Sequence, residues 1–105
     1  MFNKKLTDIK IGIAISTYTD EGTEPKRYEI IERSLNSLRD TLKDTIVNTY
    51  VVIVVDGPIP EKHNILLKNY DFPIYYRPKN GGVARTKNTC IRLLLEKGVD
   101  IGFLA

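Results

Sequence analysis

Tyr50-Val51-Val52-Ile53-Val54-Val55 runs six residues without a polar alternation and closes on Asp56-Gly57-Pro58. A strand with one wet face alternates apolar and polar residues. A run that is apolar throughout suits a central parallel strand covered on both faces. Such a strand needs parallel neighbours and helices on either side, and the flanking sequence offers both. Upstream, Ile9 to Ser16 (IKIGIAIS) is short, apolar and rich in isoleucine, which favours a buried strand over a helix. Thr17 to Thr23 is a polar loop with turn chemistry. Pro25 then opens a helix, a position where its missing N–H costs nothing. Tyr28, Ile31, Leu35, Leu38 and Leu42 share one face of that helix, and Glu29, Glu32, Arg33, Asn36, Arg39 and Lys43 share the other.

Downstream, Pro60 to Asn69 reads as a short helix with Ile65 and Leu66 inward. Pro73 to Arg77 is a third, shorter strand, and Pro78 to Gly82 a loop. Val83 to Lys97 reads as a second long helix with Gly98 as its cap. Val99 to Ala105 reads as a fourth, buried strand. The order β-α-β-α-β-α-β predicts an α/β three-layer sandwich around a mainly parallel four-stranded sheet with right-handed crossovers. No internal repeat, low-complexity segment or linker interrupts it, so residues 1–105 are read as one domain.

Composition narrows the function classes. A chain of 105 residues holds one domain at most, and a hydrophobic fraction of 42% excludes wholesale disorder. Sixteen Lys plus Arg against thirteen Asp plus Glu give a net charge of +3, too weak to argue for a nucleic-acid partner. Cys90 is the single cysteine, so no intrachain disulfide is possible, which fits a reducing compartment. The first residues, Met1-Phe2-Asn3-Lys4-Lys5, do not lead into an apolar core, and no apolar stretch approaches the ~20 residues that span a bilayer. The expectation is a soluble, cytoplasmic protein without a membrane segment.

In open sheets of this kind, ligands bind beyond the carboxyl ends of the strands. Four features fall there. Tyr18, beside Thr17 after the first strand, can stack on a base and hydrogen-bond its edge; as a plain loop tyrosine it would pack on the sheet. Asp56 at the tip of the second strand can accept from a base N–H or a ribose hydroxyl; equally, Asp-Gly is a common turn. Asn80-Gly81-Gly82-Val83-Ala84-Arg85-Thr86-Lys87-Asn88 lets backbone approach a ligand at a helix start, where an anion is favoured. Neither a P-loop nor G-x-G-x-x-G spacing is present, and a turn before a solvated basic face is the plainer reading. No His/Cys cluster has metal-ligand spacing and no serine sits in a G-x-S-x-G elbow. His63 is expected at the surface, and Cys90, beside Ile91 and Leu94, as a buried structural thiol.

Together these pieces resemble the N-terminal, nucleotide-binding half of family 2 glycosyltransferases with the GT-A fold. Ile15-Ser16-Thr17-Tyr18-Thr19 matches the end of that family's first strand. Glu32-Arg33-Ser34-Leu35-Asn36-Ser37-Leu38 matches its first helix. Val54-Val55-Asp56-Gly57 matches the end of its second strand. Gly81-Gly82-Val83-Ala84-Arg85-Thr86-Lys87-Asn88 matches its Gly-Gly…Arg-Asn segment, with Lys87 where arginine is usual. The resemblance implies a Rossmann-like sheet of order 3-2-1-4. It implies that Thr17 and Tyr18 cradle the base of a nucleotide sugar, UDP-linked by expectation, and that Asp56 accepts from the base. Gly82, Arg85 and Lys87 would stand by the base or diphosphate, and Asn88 would brace the loop. Lys87 keeps the charge of the usual arginine but loses its bidentate fork, and Arg85 could compensate.

The family's fourth strand runs into an Asp-x-Asp that binds Mn²⁺ or Mg²⁺, and Ile101-Gly102-Phe103-Leu104-Ala105 reaches that point without it. An inverting transfer needs a base for the acceptor hydroxyl and a cation for the departing diphosphate. The expectation is a chain that by itself transfers no sugar. The competing reading is a non-catalytic interaction module, dimerising through the Val99–Ala105 edge. A nucleotidyltransferase is disfavoured, since Thr17-Tyr18-Thr19-Asp20 is not a glycine-rich basic loop.

Overall fold

The computed structural model describes residues 8–18, 24–44, 48–79 and 81–105. Thr19 to Thr23 of the expected first loop, and Asn80, lie outside them. The elements are β1 (Lys10–Thr17), α1 (Glu24–Leu42), β2 (Asn48–Asp56), α2 (Glu61–Lys68), β3 (Ile74–Arg77), α3 (Val83–Glu96) and β4 (Ile101–Leu104). The sheet order is β3-β2-β1-β4, with every pairing parallel. Both the expected element order and the strand order 3-2-1-4 are therefore found.

β2 lies inside the sheet and its uninterrupted apolar run is explained by what covers it. Ile53 and Val55 join Leu35 of α1 with Leu66 and Leu67 of α2 in one core. Val52 and Val54 join Ala14 of β1 with Cys90 and Leu94 of α3 in the other. Each buried leucine contributes about 1.5–3 kcal/mol relative to exposure. Two helices thus cover one face and one helix the other.

The third helix sits unusually close to β1 and β4. Gly12 and Gly102 are register partners. A Cβ on Gly12 would lie 2.7 Å from Val99 Cγ1 and 2.8 Å from Leu94 Cδ2, and one on Gly102 3.2 Å from Leu94 Cδ1. Leu94 is seated over two strand positions that carry no side chain. Gly98, with φ 67°, turns the chain off α3, and its N–H donates to the Leu95 carbonyl at 3.0 Å. That left-handed turn is the cap expected of it.

Three expectations need correction. His63 is buried, 1% exposed, with its ring edge-on to Tyr28 at 5.4 Å. In α2 the inward residues are His63, Leu66 and Leu67, while Ile65 is 54% exposed. His63 and the buried Tyr70 fix the helical phase, and the 3.6-residue period then carries 66 and 67 inward and 65 outward. β4, expected to be buried, is exposed along all four residues. It occupies the sheet edge beside β1, and Leu94 above Gly102 covers one side of it. Its pairing nonetheless runs past its bounds. Asp100 N–H donates to the Lys10 carbonyl at 2.7 Å, and Ala105 N–H to the Ala14 carbonyl at 2.9 Å.

Candidate functional site

The carboxyl ends of the parallel strands converge on one side of the sheet. Thr17 ends β1, Asp56 ends β2 and Arg77 ends β3. Register pairs Thr17 with Val55, beside Asp56, and Asp56 with Arg77. A cavity of about 370 Å³ opens over these ends, lined among others by Thr17, Tyr18, Asp56 and Gly82. Thr17 and Asp56 are 6% and 5% exposed. Of the six residues expected to hold a nucleotide, these four are brought together. Arg85 and Lys87 are exposed on α3, outside the cavity lining.

The polar geometry centres on Asp56. Its Oδ1 accepts from Arg77 Nη1 at 2.7 Å and from the Gly81 backbone N–H at 3.0 Å. The pair is well buried, with side-chain exposures of 16% for Arg77 and 6% for Asp56. Arg77 Nη1 also donates to Thr86 Oγ1 at 3.2 Å, and the Thr86 hydroxyl donates to the Gly82 carbonyl at 2.9 Å. One guanidinium nitrogen therefore ties the tip of β2 to the first turn of α3. Gly81 makes room for it: a Cβ there would lie 2.5 and 2.7 Å from the guanidinium nitrogens.

Gly82 is the N-cap of α3 at φ 85° and ψ 170°, a conformation open essentially to glycine alone. It turns the helix start towards the cavity. Tyr18 carries Arg27 over its ring at 4.1 Å, a cation–π contact that places α1's positive charge at the cavity wall. The Ser16 hydroxyl donates to the Ala105 carbonyl at 3.2 Å, bringing the end of β4 to the same rim.

Arg77, Thr86 and Arg27 were not singled out from the sequence. Arg77 had a signal, since it ends a strand as Asp56 does. Thr86 lay within the helix-start segment read from the sequence without a role of its own, and Arg27 had no signal, because it reaches the cavity only once α1 is docked. Cys90 lies in the core as expected, and burial pushes its thiol up from the ordinary range, away from nucleophilic use. Among the described residues no group of three or more His, Cys, Asp or Glu is placed to hold a metal ion. No described helix is long and apolar enough to cross a membrane.

The arrangement suits binding: a ring, a buried carboxylate, a basic wall and a helix start face one cavity. No protein-family model and no solved structure matches the chain. A protein of Acanthamoeba polyphaga mimivirus, named an uncharacterized glycosyltransferase, is 50% identical over 99 residues. The match takes in 92% of this chain and 37% of that relative, so the chain spans little more than a third of its length.

Proposed function

We propose that these residues form the donor-binding part of a glycosyltransferase of the family 2, GT-A type, taking a nucleotide-diphosphate sugar that is UDP-linked. The relative's name supports a glycosyltransferase-like role. The observation that carries the finer reading is the convergence of Thr17, Tyr18, Asp56 and Gly82 on one cavity at the carboxyl edge of the sheet. Tyr18 offers its ring to the base, with Arg27 behind it. Asp56, held through Oδ1, accepts from the base or ribose. The start of α3 and Arg27 favour the diphosphate. Arg85 and Lys87 reach the ligand only from the exposed side of α3.

On this reading the 105 residues bind the donor and transfer no sugar. Asp56 is the carboxylate among the described cavity residues, and its Oδ1 is already engaged by Arg77 Nη1 and the Gly81 N–H. Isothermal titration calorimetry with UDP and GDP, with and without Mn²⁺, tests the proposal. UDP binding that is independent of Mn²⁺ and weakened in both Tyr18→Ala and Asp56→Ala is expected. Absence of binding by either nucleotide refutes it.

One observation favours a second reading, an interaction module that pairs two copies. Ile101, Phe103 and Leu104 are 41%, 55% and 42% exposed on an edge strand, a surface prone to add another strand. Light scattering across a dilution series decides this, and a monomeric mass throughout refutes the pairing.

A further inference from the structure

We infer that Arg77 is a positioning residue for the nucleotide cavity, fixing both the Asp56 carboxylate and the loop that opens α3; the inference rests on the nucleotide-binding reading. Arg77 does not line that cavity. It lines a second one, of about 250 Å³, on the α2 side of the strand ends. From there Nη1 reaches Asp56 and Thr86, both of which line the first cavity.

The geometry explains why an arginine stands here. A buried carboxylate at the end of a strand rotates among several acceptor geometries unless a partner selects one. Here Oδ1 receives two N–H groups, one from Arg77 and one from Gly81, which sets the carboxylate plane. The same Nη1 meets Thr86 Oγ1, whose hydroxyl is bonded to the Gly82 carbonyl. Arg77 thus sets the spacing between an acceptor for the base and the helix start beside it. A lysine is a single point charge and would not hold both oxygens in the same way. Gly81 is the matching half of the device, since any side chain there would meet the guanidinium.

The test uses the 105-residue chain, with UDP affinity by calorimetry and amide hydrogen exchange read side by side. Arg77→Ala is expected to weaken UDP binding about tenfold or more, the loss typical of a hydrogen bond to a charged group. Arg77→Lys is expected to fall between Arg77→Ala and the native chain. Ethylguanidinium is expected to restore binding to Arg77→Ala and not to Asp56→Ala. Gly81→Ala is expected to weaken binding without removing a charge and to add little on top of Arg77→Ala, because both act through one contact. Arg77→Ala binding within twofold of the native chain overturns the inference, as does full additivity of the two substitutions. If Arg77→Ala loses protection in β2 as well, the fold has failed, and Arg77→Lys with Gly81→Ala carry the decision. If the native chain binds no UDP, the nucleotide reading fails separately. The positioning role is then read from the Gly81 amide, expected to lose protection in Arg77→Ala while Val52 to Val54 keep theirs. Unchanged Gly81 exchange overturns it.

Discussion

Replacing Gly12 by alanine is expected to destabilise the fold, because forcing a methyl into a packed core costs about 1–3 kcal/mol before any compensation. The added Cβ would sit 2.7 Å from Val99 Cγ1 and 2.8 Å from Leu94 Cδ2. Carbon atoms in contact rest at about 3.5–4.0 Å, so the overlap is close to 1 Å on two sides at once. Leu94 has little room to retreat: it is 4% exposed and also lies against Gly102. Alanine's lower backbone entropy in the unfolded chain recovers about 0.5–1 kcal/mol, leaving a net loss of up to about 2.5 kcal/mol. For a domain near this size each kcal/mol lowers Tm by about 4–8 °C. Urea unfolding followed by circular dichroism measures the change, with an unchanged m-value showing that the unfolded state is not the cause. Leu94→Ala alone is expected to cost about 2–5 kcal/mol. In the double variant the two losses should fall short of their sum by about 1 kcal/mol or more, because the truncated leucine relieves the overlap. A Gly12→Ala chain as stable as the native one, or strict additivity with Leu94→Ala, would refute the close seating of α3.

Gly82→Ala has open space around it, so its expected cost of about 1–3 kcal/mol comes from the backbone at φ 85° and ψ 170° alone, read by thermal unfolding. Tyr70→Phe removes a 2.7 Å bond from the hydroxyl to Asn36 Oδ1 and is expected to cost about 1 kcal/mol in urea unfolding. Burial raises the Tyr70 and Tyr50 hydroxyls above their ordinary value of 10.0. Above pH 10 the unfolded chain then holds fewer protons than the folded one, so stability is full below pH 10 and falls as pH rises through the raised folded values. Tyr70→Phe should flatten that alkaline fall, and an equal slope in both chains refutes the assignment. Cys90, raised likewise by burial, should react with a thiol reagent at pH 8 only at the rate of opening, and prompt labelling of the folded chain contradicts its burial.

Legibility followed range. The β2 run announced a strand covered on both faces, and Gly98 announced the end of α3, because each signal lies within a few residues of its effect. The α1 face was equally clear, with Leu35 buried and Tyr28 and Ile31 packed on the same core. α2 was read a residue out of phase. In an eight-residue helix the period is sampled barely twice, and a histidine counted as polar hid the inward face. β4 shows the other difficulty: an apolar run tells that cover suits it, not that a neighbour supplies the cover. At the site, Thr17, Tyr18, Asp56 and Gly82 were legible from position at strand and helix ends. Arg27 came from a helix whose approach to the cavity is set by tertiary packing, and the Asp56–Arg77 pair spans two strands whose register no local pattern encodes.

β1 pairs on one side with β2, close behind it in sequence, and on the other with β4, where Lys10 N–H donates to Asp100 Oδ2 across 90 residues. As the chain leaves the ribosome, at about 5–20 residues per second, that second edge waits on the order of 5–20 s for its strand. During that interval Ile11 and Ile13 stand beside an open ladder, the state in which a chain most readily captures a neighbour's strand. The strand that closes this edge of β1 is thus made about 90 residues after it, and slowing its synthesis should raise the share of nascent chains that aggregate.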